Sequence, residues 1–429
     1  MKAMPLPAAL FTRNRAKLVQ RLLPRSVAVL NANDIMPTNA DGVMGHLQNA
    51  DLFYLTGVHQ EETVLLLAPD AADTKLREVL FIRETNEQLA TWEGRKLTPG
   101  QAAAVSGVKT VKWLSEFPAI FRALVCALEN IYLNSNEHSR AEVTVETRDA
   151  RFVRDCRKNF PLHQYHRLAP LLHELRAVKS EHEISAIQAA CELTGRGFKR
   201  ALRFVQPGVN EAEVEAEFAH EFIRNQGQFA YPPIIASGAN NTILHYTQNN
   251  QVCKKGDLLL LDVAAGLGNY MSDLTRTIPV SGKFTRRQKQ VYNAVLRIFR
   301  AQVTALTPGK TTKDLRLECE ARTAKECVDL GLLKIADIKN QKPDAPAVKK
   351  FFMHGVSHSI GLDVHDVMNA DAKLAPGWVL TVEPAIYLKA EGFGIRIENT
   401  VLVTENGPRD LMADIPIEAD EIEALMRRR

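Results

Sequence analysis

Two segments of the sequence place carboxylates where they could act together. Residues 258–280 read as two strands joined by a turn that contains Gly266 and Gly268. Asp262 and Asp273 are equally spaced from the middle of this turn. An antiparallel hairpin without a bulge would therefore place them directly opposite, with Cβ atoms about 4.5–5.5 Å apart. Two such carboxylates in an apolar setting need a compensating cation, or one of them must hold a proton.

The same pattern occurs again near the C-terminus. Residues 381–403 read as strand, turn and strand, and Glu383 and Glu398 are equally spaced from that turn. Between the two predicted hairpins, residues 354–366 contain three histidines. Four carboxylates and a histidine form a hard, oxygen-rich ligand set, which suits Mn²⁺ or a similar divalent ion. We therefore expect two metal ions, about 3.5–4 Å apart, held by bridging carboxylates.

Composition narrows the class of protein. The 429 residues are 45% hydrophobic and 24% charged, which is ordinary for a globular protein of two domains. The net charge of +4 is small for this length, so nucleic acid is not expected as a partner. No segment reaches the roughly 18 uninterrupted apolar residues that a membrane-spanning helix needs, so no membrane association is expected.

The spacing of the cysteines and the N-terminal sequence indicate a cellular compartment for the protein. The six cysteines form no C-x-x-C pair, which argues against a zinc–thiolate site and against a redox motif. Their spacing suggests no disulfide framework, and the N-terminus lacks the apolar segment of a signal peptide. The chain is therefore expected in a reducing cytoplasm.

The order of predicted elements divides the chain in two. Strand-like and helical segments alternate between residues 26 and 135, which predicts an α/β N-terminal domain with a mixed sheet over residues 1–170. Residues 53–58 are among the strand-like segments because of their apolar and aromatic content. Long amphipathic helices and the two hairpins predict an α+β domain over residues 171–429.

The ligand pattern resembles a known family. The order Asp262, Asp273, His358, Glu383, Glu398 resembles the five metal ligands of the pita-bread metallopeptidases, which include methionine aminopeptidase, prolidase, creatinase and Xaa-Pro aminopeptidase. LLLLDVAAGLGNYMSDLTRT resembles the first ligand motif, and HGVSHSIGLDVHD resembles the histidine motif of the proline peptidases. LTVEPAIYL and GIRIENTVLVTENG resemble the two glutamate motifs. NADLFYLTGVHQEETVLLL and TWEGRKL resemble the N-terminal domain of the Xaa-Pro aminopeptidases, so the expected fold is an aminopeptidase P-like α/β domain followed by a pita-bread domain.

The resemblance implies a role for each matching ligand. Asp273 and Glu398 would bridge two metal ions, and Asp262 would hold one of them. His358 and Glu383 would complete the site on the other ion. A hydroxide between the metals would attack the scissile carbonyl, and Glu383 matches the position of the family's proton shuttle.

Further residues match the family's substrate contacts. His245 and His365 match histidines that contact the substrate and steady the tetrahedral intermediate, and His354 matches a residue that lines the pocket for proline. Arg396 should point to the same sheet face as the last glutamate ligand and pair with a site carboxylate. Trp92 resembles a tryptophan that reaches into a neighbouring subunit, and the family resemblance implies a dimer or a tetramer.

Together these motifs predict a Mn²⁺-dependent Xaa-Pro aminopeptidase, which releases the N-terminal residue from peptides that have proline second. A Xaa-Pro dipeptidase (prolidase) is the nearest alternative because it uses the same chemistry. A non-catalytic peptide-binding module is disfavoured by the complete ligand set, and a creatinase-type hydrolase by the form of the histidine motif. Two departures bear on substrate detail: Ala385 follows the Glu-Pro pair where the family usually has Gly, and Asn399 stands where Asp is common.

Overall fold

In the computed structural model, which describes residues 6–342, 344–369 and 371–427, one unit ends at Arg176 and a second begins at Ala177. The division falls near the C-terminal end of the helix Ala169–Ala177, whereas the sequence pattern placed it after residue 170. Among the described residues, no helix is both long and apolar enough to cross a membrane.

The N-terminal unit contains a mixed sheet with helices packed against it. Its strands are β1 (Ser26–Asn31), β2 (Pro37–Asn39), β3 (Gly42–Val43), β4 (Val64–Leu67), β5 (Glu78–Ile82), β6 (Thr110–Trp113), β7 (Asn130–Leu133) and β8 (Gln164–Arg167). Its helices are α1 (Ala8–Val19), α2 (Ala50–Thr56), α3 (Glu87–Glu93), α4 (Pro99–Ser106), α5 (Phe117–Ala127), α6 (Arg148–Asn159) and α7 (Ala169–Ala177). The six-stranded sheet has the order β6-β5-β4-β1-β7-β8, with β1 antiparallel to β4 and parallel to β7. Every residue of the central strand β1 is buried, and the predicted α/β class is confirmed.

One predicted strand of this unit is wrong. Residues 53–58 lie in and just after helix α2 rather than in a strand. The Asn49 side chain accepts two backbone N–H groups of the first helical turn, and Gly57 ends the helix in the left-handed conformation with a φ of 66°. Both ends of the segment are therefore capped as a helix, and these caps outweigh the strand propensity of its aromatic residues.

The C-terminal unit packs helices around short antiparallel sheets. Its helices are α8 (Glu181–Phe204), α9 (Glu211–Arg224), α10 (Arg286–Ala305), α11 (Thr312–Asp329), α12 (Ile335–Lys339) and α13 (Ala419–Arg427). Its strands are β9 (Gln228–Phe229), β10 (Ile234–Ser237), β11 (Leu258–Asp262), β12 (Ala265–Leu267), β13 (Tyr270–Met271), β14 (Thr275–Pro279), β15 (Val379–Val382), β16 (Ala385–Leu388), β17 (Phe393–Arg396), β18 (Asn399–Leu402) and β19 (Arg409–Asp410). They form the sheets β10-β11-β14, β13-β12-β9 and β15-β18-β19 and the pair β16-β17. Gly266, expected in a turn, lies in β12.

The register of the first hairpin differs from the expected one. Asp262 pairs with Thr275, and not with Asp273. The turn is made by Gly268 and Asn269, which have φ values of 58° and 69°. Two consecutive residues with positive φ form the tight turn whose twist matches that of the strands it joins. The shift amounts to two positions, so both aspartates keep the same sheet face and become diagonal neighbours.

The second hairpin has the expected register. Strands β15 and β18 pair in one register, and the pairing of β16 with β17 continues it. Glu383 and Glu398 therefore occupy opposed positions between these two ladders. The two hairpins meet where Glu398 bridges to Thr275 of β14, with the Glu398 N–H donating to the Thr275 carbonyl oxygen at 3.0 Å. This contact brings the carboxylates of both hairpins to one place.

Candidate metal centre

Three side chains form a group that could hold a metal ion. One ligand atom from each of Asp273, His358 and Glu398 lies within 4.8 Å of the other two. The His358 Nε2 atom is 3.4 Å from Asp273 Oδ2, and both carboxylates are buried. Within the described part of the chain, no other set of three or more histidine, cysteine or acidic side chains meets this geometry.

The other two predicted ligands adjoin this group. Glu383 Oε1 lies 3.8 Å from the Nε2 atom of His358. The hydroxyl of Tyr231 lies 2.6 Å from Asp262 Oδ1 and 2.7 Å from Asp273 Oδ1. Because a hydroxyl carries a single proton, it donates to one of these carboxylates at a time. The structure thus brings all five predicted ligands to one site, although only three of them form the tight group.

Backbone hydrogen bonds fix the segments that carry His358 and Glu383. The N–H of Thr381 donates to the His358 carbonyl at 2.9 Å, and the N–H of Glu383 donates to the Val356 carbonyl at 2.9 Å. The His358 Nδ1 atom is 3.0 Å from the carbonyl oxygen of Ser359. Since a carbonyl oxygen only accepts, Nδ1 carries a proton, and Nε2 is the ring nitrogen that faces the carboxylates.

Arg396 supplies positive charge at the edge of the group. Its Nη2 pairs with Asp262 Oδ2 at 2.5 Å, and its Nη1 donates to the Tyr387 hydroxyl at 2.7 Å. Its Nε donates to Thr275 Oγ1 at 3.1 Å, and that hydroxyl donates to Glu398 Oε2 at 2.6 Å. Arg396 therefore contacts Asp262 directly and reaches Glu398 through Thr275.

Burial and crowding perturb the acids of this site. Burial raises the pKa of Glu398 well above its usual range, and the neighbouring Asp273 carboxylate adds to the effect. Burial raises the pKa of Glu383 to about 7, against the charge of His358. The pKa of Asp262 is also raised by burial, although Arg396 opposes the shift. Without a cation, these carboxylates hold protons. Their chemistry fits hard divalent ions, which would displace the protons on binding.

His354 lies on the other side of Glu383. Its Nδ1 atom is 3.5 Å from Glu383 Oε2, and its Nε2 atom is 3.0 Å from the Tyr387 hydroxyl. Burial, together with the charge of Arg396, lowers the pKa of His354 to about 3. The imidazole is therefore neutral at physiological pH and forms part of the wall beside the carboxylates.

The remaining predicted residues differ in their placement. The His365 ring is exposed and perpendicular to the His358 ring, with the ring centres 4.4 Å apart. His245 is exposed, and its charge contributes to the lowered pKa of His354. Trp92 lies in α3 of the N-terminal unit, with 83% of its surface exposed. Its role in a neighbouring subunit stays a prediction.

Sequence reasoning missed three side chains that form hydrogen bonds with the side chains of the ligands or of Arg396. Thr275 is the direct partner of Asp262 only in the observed register, which differs from the one expected from the sequence. Tyr387 is the partner of Gly394, where an added Cβ would lie 2.4 Å from the tyrosine ring. A glycine opposite a large aromatic residue indicates a ring that lies across the neighbouring strand. Tyr231 has no comparable signal, because it reaches the aspartates from the segment between β9 and β10.

Comparisons with known proteins identify the family of the chain. Residues 185–405 match the model described as "Metallopeptidase family M24", and residues 11–132 match "Aminopeptidase P, N-terminal domain". The chain belongs to metallopeptidase family M24. The family and the fold class predicted from the sequence, an α/β N-terminal domain followed by a pita-bread catalytic domain, are thereby confirmed.

Three similar proteins match this chain over nearly their whole length. The chain is 35% identical to the Xaa-Pro aminopeptidase of Escherichia coli (strain K12), with 97% of each covered. It is 32% identical to the Xaa-Pro aminopeptidase of Haemophilus influenzae, with 98% of each covered. A solved structure of zinc-substituted E. coli aminopeptidase P in complex with product gives a TM-score of 0.88 at 34% identity, covering 99% of each chain. The chain is therefore an aminopeptidase P-like M24 metallopeptidase.

Proposed function

We propose that this protein is a Xaa-Pro aminopeptidase, which removes the N-terminal residue from peptides that have proline second. The observation that carries the proposal is the buried group of Asp273, His358 and Glu398, with Asp262 and Glu383 beside it. It is supported by the N-terminal unit, which matches the aminopeptidase P model. Full-length relatives that bear the name Xaa-Pro aminopeptidase support it further.

The donor set supports two divalent ions, of which Mn²⁺ is the candidate we favour. Asp273, His358 and Glu398, together with the adjoining Asp262 and Glu383, would hold these ions. Carboxylate oxygens with one imidazole suit Mn²⁺ better than a metal that selects thiolates. When bound, the ions would lower the pKa of water toward neutrality and polarise the scissile carbonyl.

The chain's own side chains would move the proton and hold the substrate. The two carboxylate oxygens of Glu383 face different histidines, His358 and His354. A carboxylate at this edge is placed to carry a proton to the leaving amine. His354, held by Tyr387, offers a neutral wall for the proline ring. The exposed histidines of the same unit, His245 and His365, are the candidates for contact with the substrate and its tetrahedral intermediate.

The remaining proposals concern partners and location. We propose peptides with proline second as the substrates and a homo-oligomer, a dimer or a tetramer, as the assembly. We propose the cytoplasm as the compartment, which is supported by cysteine usage. The described cysteines are all free thiols, as a reducing compartment requires.

The decisive experiment compares peptide lengths. Protein freed of metal and then loaded with Mn²⁺ is assayed on Ala-Pro-Ala, Ala-Pro and Ala-Ala-Ala. We expect metal-dependent release of alanine from Ala-Pro-Ala, slower cleavage of Ala-Pro and no cleavage of Ala-Ala-Ala. Cleavage of Ala-Pro alone would instead assign a Xaa-Pro dipeptidase. Absence of metal-dependent release from all three peptides would refute the proposal.

Two variants make this assay specific to the site. Glu398→Gln removes a buried ligand of the central group and should abolish both Mn²⁺ binding and activity. Lys310→Met removes a partly exposed ion pair with Glu318, in which the two atoms are 2.6 Å apart, and should leave activity unchanged. Equal loss of activity in both variants would show that the loss at Glu398 is not specific.

A further inference from the structure

A buried ion pair lies behind the loop that carries two of the site histidines. Lys179 Nζ is 3.0 Å from Asp366 Oδ2, and only 1% and 2% of these side chains are exposed. Lys179 lies just before helix α8, and Asp366 directly follows His365. Buried charges are costly unless they are paired and hydrogen-bonded. The pair therefore joins the start of α8 to the end of the loop that carries His358 and His365.

The same pair holds Ser359, the residue after His358. Lys179 Nζ donates to Ser359 Oγ at 3.3 Å. The backbone N–H of Asp366 donates to the Ser359 carbonyl oxygen at 2.9 Å, and this oxygen also lies 3.0 Å from His358 Nδ1. A carbonyl oxygen has two lone pairs and accepts both bonds. Ser359 is thus the link between the ion pair and a ligand of the candidate metal centre.

Gly361 leaves room for this ion pair. A Cβ atom at Gly361 would lie 2.2 Å from Asp366 Oδ2 and 3.0 Å from Lys179 Cε. The carbonyl of Gly361 accepts the N–H of Met271 at 2.8 Å, which joins the loop to the first hairpin as well. Any side chain at position 361 would push the Asp366 carboxylate away from the ammonium group.

We propose that Lys179 and Asp366 are positioning residues for the metal centre. They fix the Ser359 carbonyl, which holds His358 in the tautomer and orientation that point Nε2 at the carboxylates. They also fix the end of the loop at His365. Loss of a partner that orients a ligand histidine typically lowers metal affinity or activity by about 10–100-fold. The proposal rests on the metallopeptidase function proposed above.

The test variants separate positioning from folding. Lys179→Met alone would remove the ammonium group that pairs with the buried Asp366 carboxylate and would destabilise the fold. The main variant therefore carries Lys179→Met together with Asp366→Asn, which removes both charges and keeps the oxygen that accepts the Val367 N–H. Gly361→Ala is a second variant, which keeps every charge but displaces Asp366. Lys310→Met is the matched control at a partly exposed ion pair.

Full-length protein is freed of metal, and Mn²⁺ affinity is measured by calorimetric titration. The melting temperature and the kcat and KM on Ala-Pro-Ala are measured in parallel. We expect the double variant and Gly361→Ala to bind Mn²⁺ about 10–100-fold more weakly while the double variant melts close to wild type. The control should match wild type in all measurements.

One outcome would overturn the positioning role, and a different outcome would refute the proposed function. Unchanged Mn²⁺ affinity in folded double variant and in Gly361→Ala, with only the melting temperature lowered, would show a purely structural ion pair and overturn the positioning role. Wild type that binds Mn²⁺ without cleaving any proline peptide would refute the proposed function instead. The comparison of Mn²⁺ affinities would still decide the positioning role in that case.

Discussion

Replacing Arg396 by methionine tests how the carboxylate centre is neutralised. The Arg396 side chain is 5% exposed, and that of its partner Asp262 is 14% exposed. Removing one partner of a buried ion pair leaves the other charge uncompensated and costs about 3–5 kcal/mol of unfolding free energy. For a unit of roughly 250 residues, each kcal/mol lowers the melting temperature by about 2–4 °C. The metal-free Arg396→Met protein should therefore melt about 6–20 °C below wild type.

A second substitution identifies the source of this loss. If the cost arises from the unpaired carboxylate, adding Asp262→Asn to Arg396→Met should restore most of the stability. Arg297→Met is the matched control, because Arg297 is 58% exposed in its pair with Glu326 and should contribute less than about 1 kcal/mol. Metal-free proteins are compared by calorimetry and urea unfolding. A loss at Arg396 no larger than at Arg297, or no recovery in the double variant, would refute the reasoning.

Three further predictions concern other positions. Gly394→Ala places a Cβ 2.4 Å from the Tyr387 ring, so the melting temperature and kcat/KM should fall together. Gly100→Ala is the control and should lower neither, because a Cβ at position 100 would have no other atom within 4 Å. Burial raises the pKa of Asp149 to about 6, so ionisation of this carboxyl destabilises the fold as the pH rises from about 4 to 6. Asp149→Asn should therefore stabilise the protein by at most about 3 kcal/mol at pH 8, and should not stabilise it at pH 4. Calorimetry at the two pH values measures the difference. Tyr231→Phe removes the hydroxyl shared by two aspartates and should cost about 1.5–3 kcal/mol in urea unfolding of metal-free protein.

Much of the fold could be predicted because its signals are local. Helices α8 to α11 follow the apolar periodicity of the sequence, and the caps that begin them are short motifs such as Ser180 with Glu183. Strand β1 is an apolar run bounded by turn residues, and it lies at the centre of the predicted mixed sheet. The error at residues 53–58 arose where strand propensity and helix capping conflict, because the cap at Asn49 lies outside the apolar run.

The sequence by itself determined the ligand types, their order and the register of the second hairpin. Side chains in a strand alternate between two faces, so the parity of positions 262 and 273, and of 383 and 398, is a local property that survives an error of two in register. The parity of a position predicts the sheet face on which its carboxylate lies, but it does not predict which other side chains reach that face.

Only the tertiary structure decided the rest of the centre. The shift of the first hairpin is the exception, because the tight turn at Gly268 and Asn269 sets it locally. Tyr231 reaches both aspartates, and Lys179 reaches Ser359, from segments distant in sequence. Such contacts depend on how whole elements pack and on which buried charges must find partners. Neither condition produces a periodic pattern in the sequence.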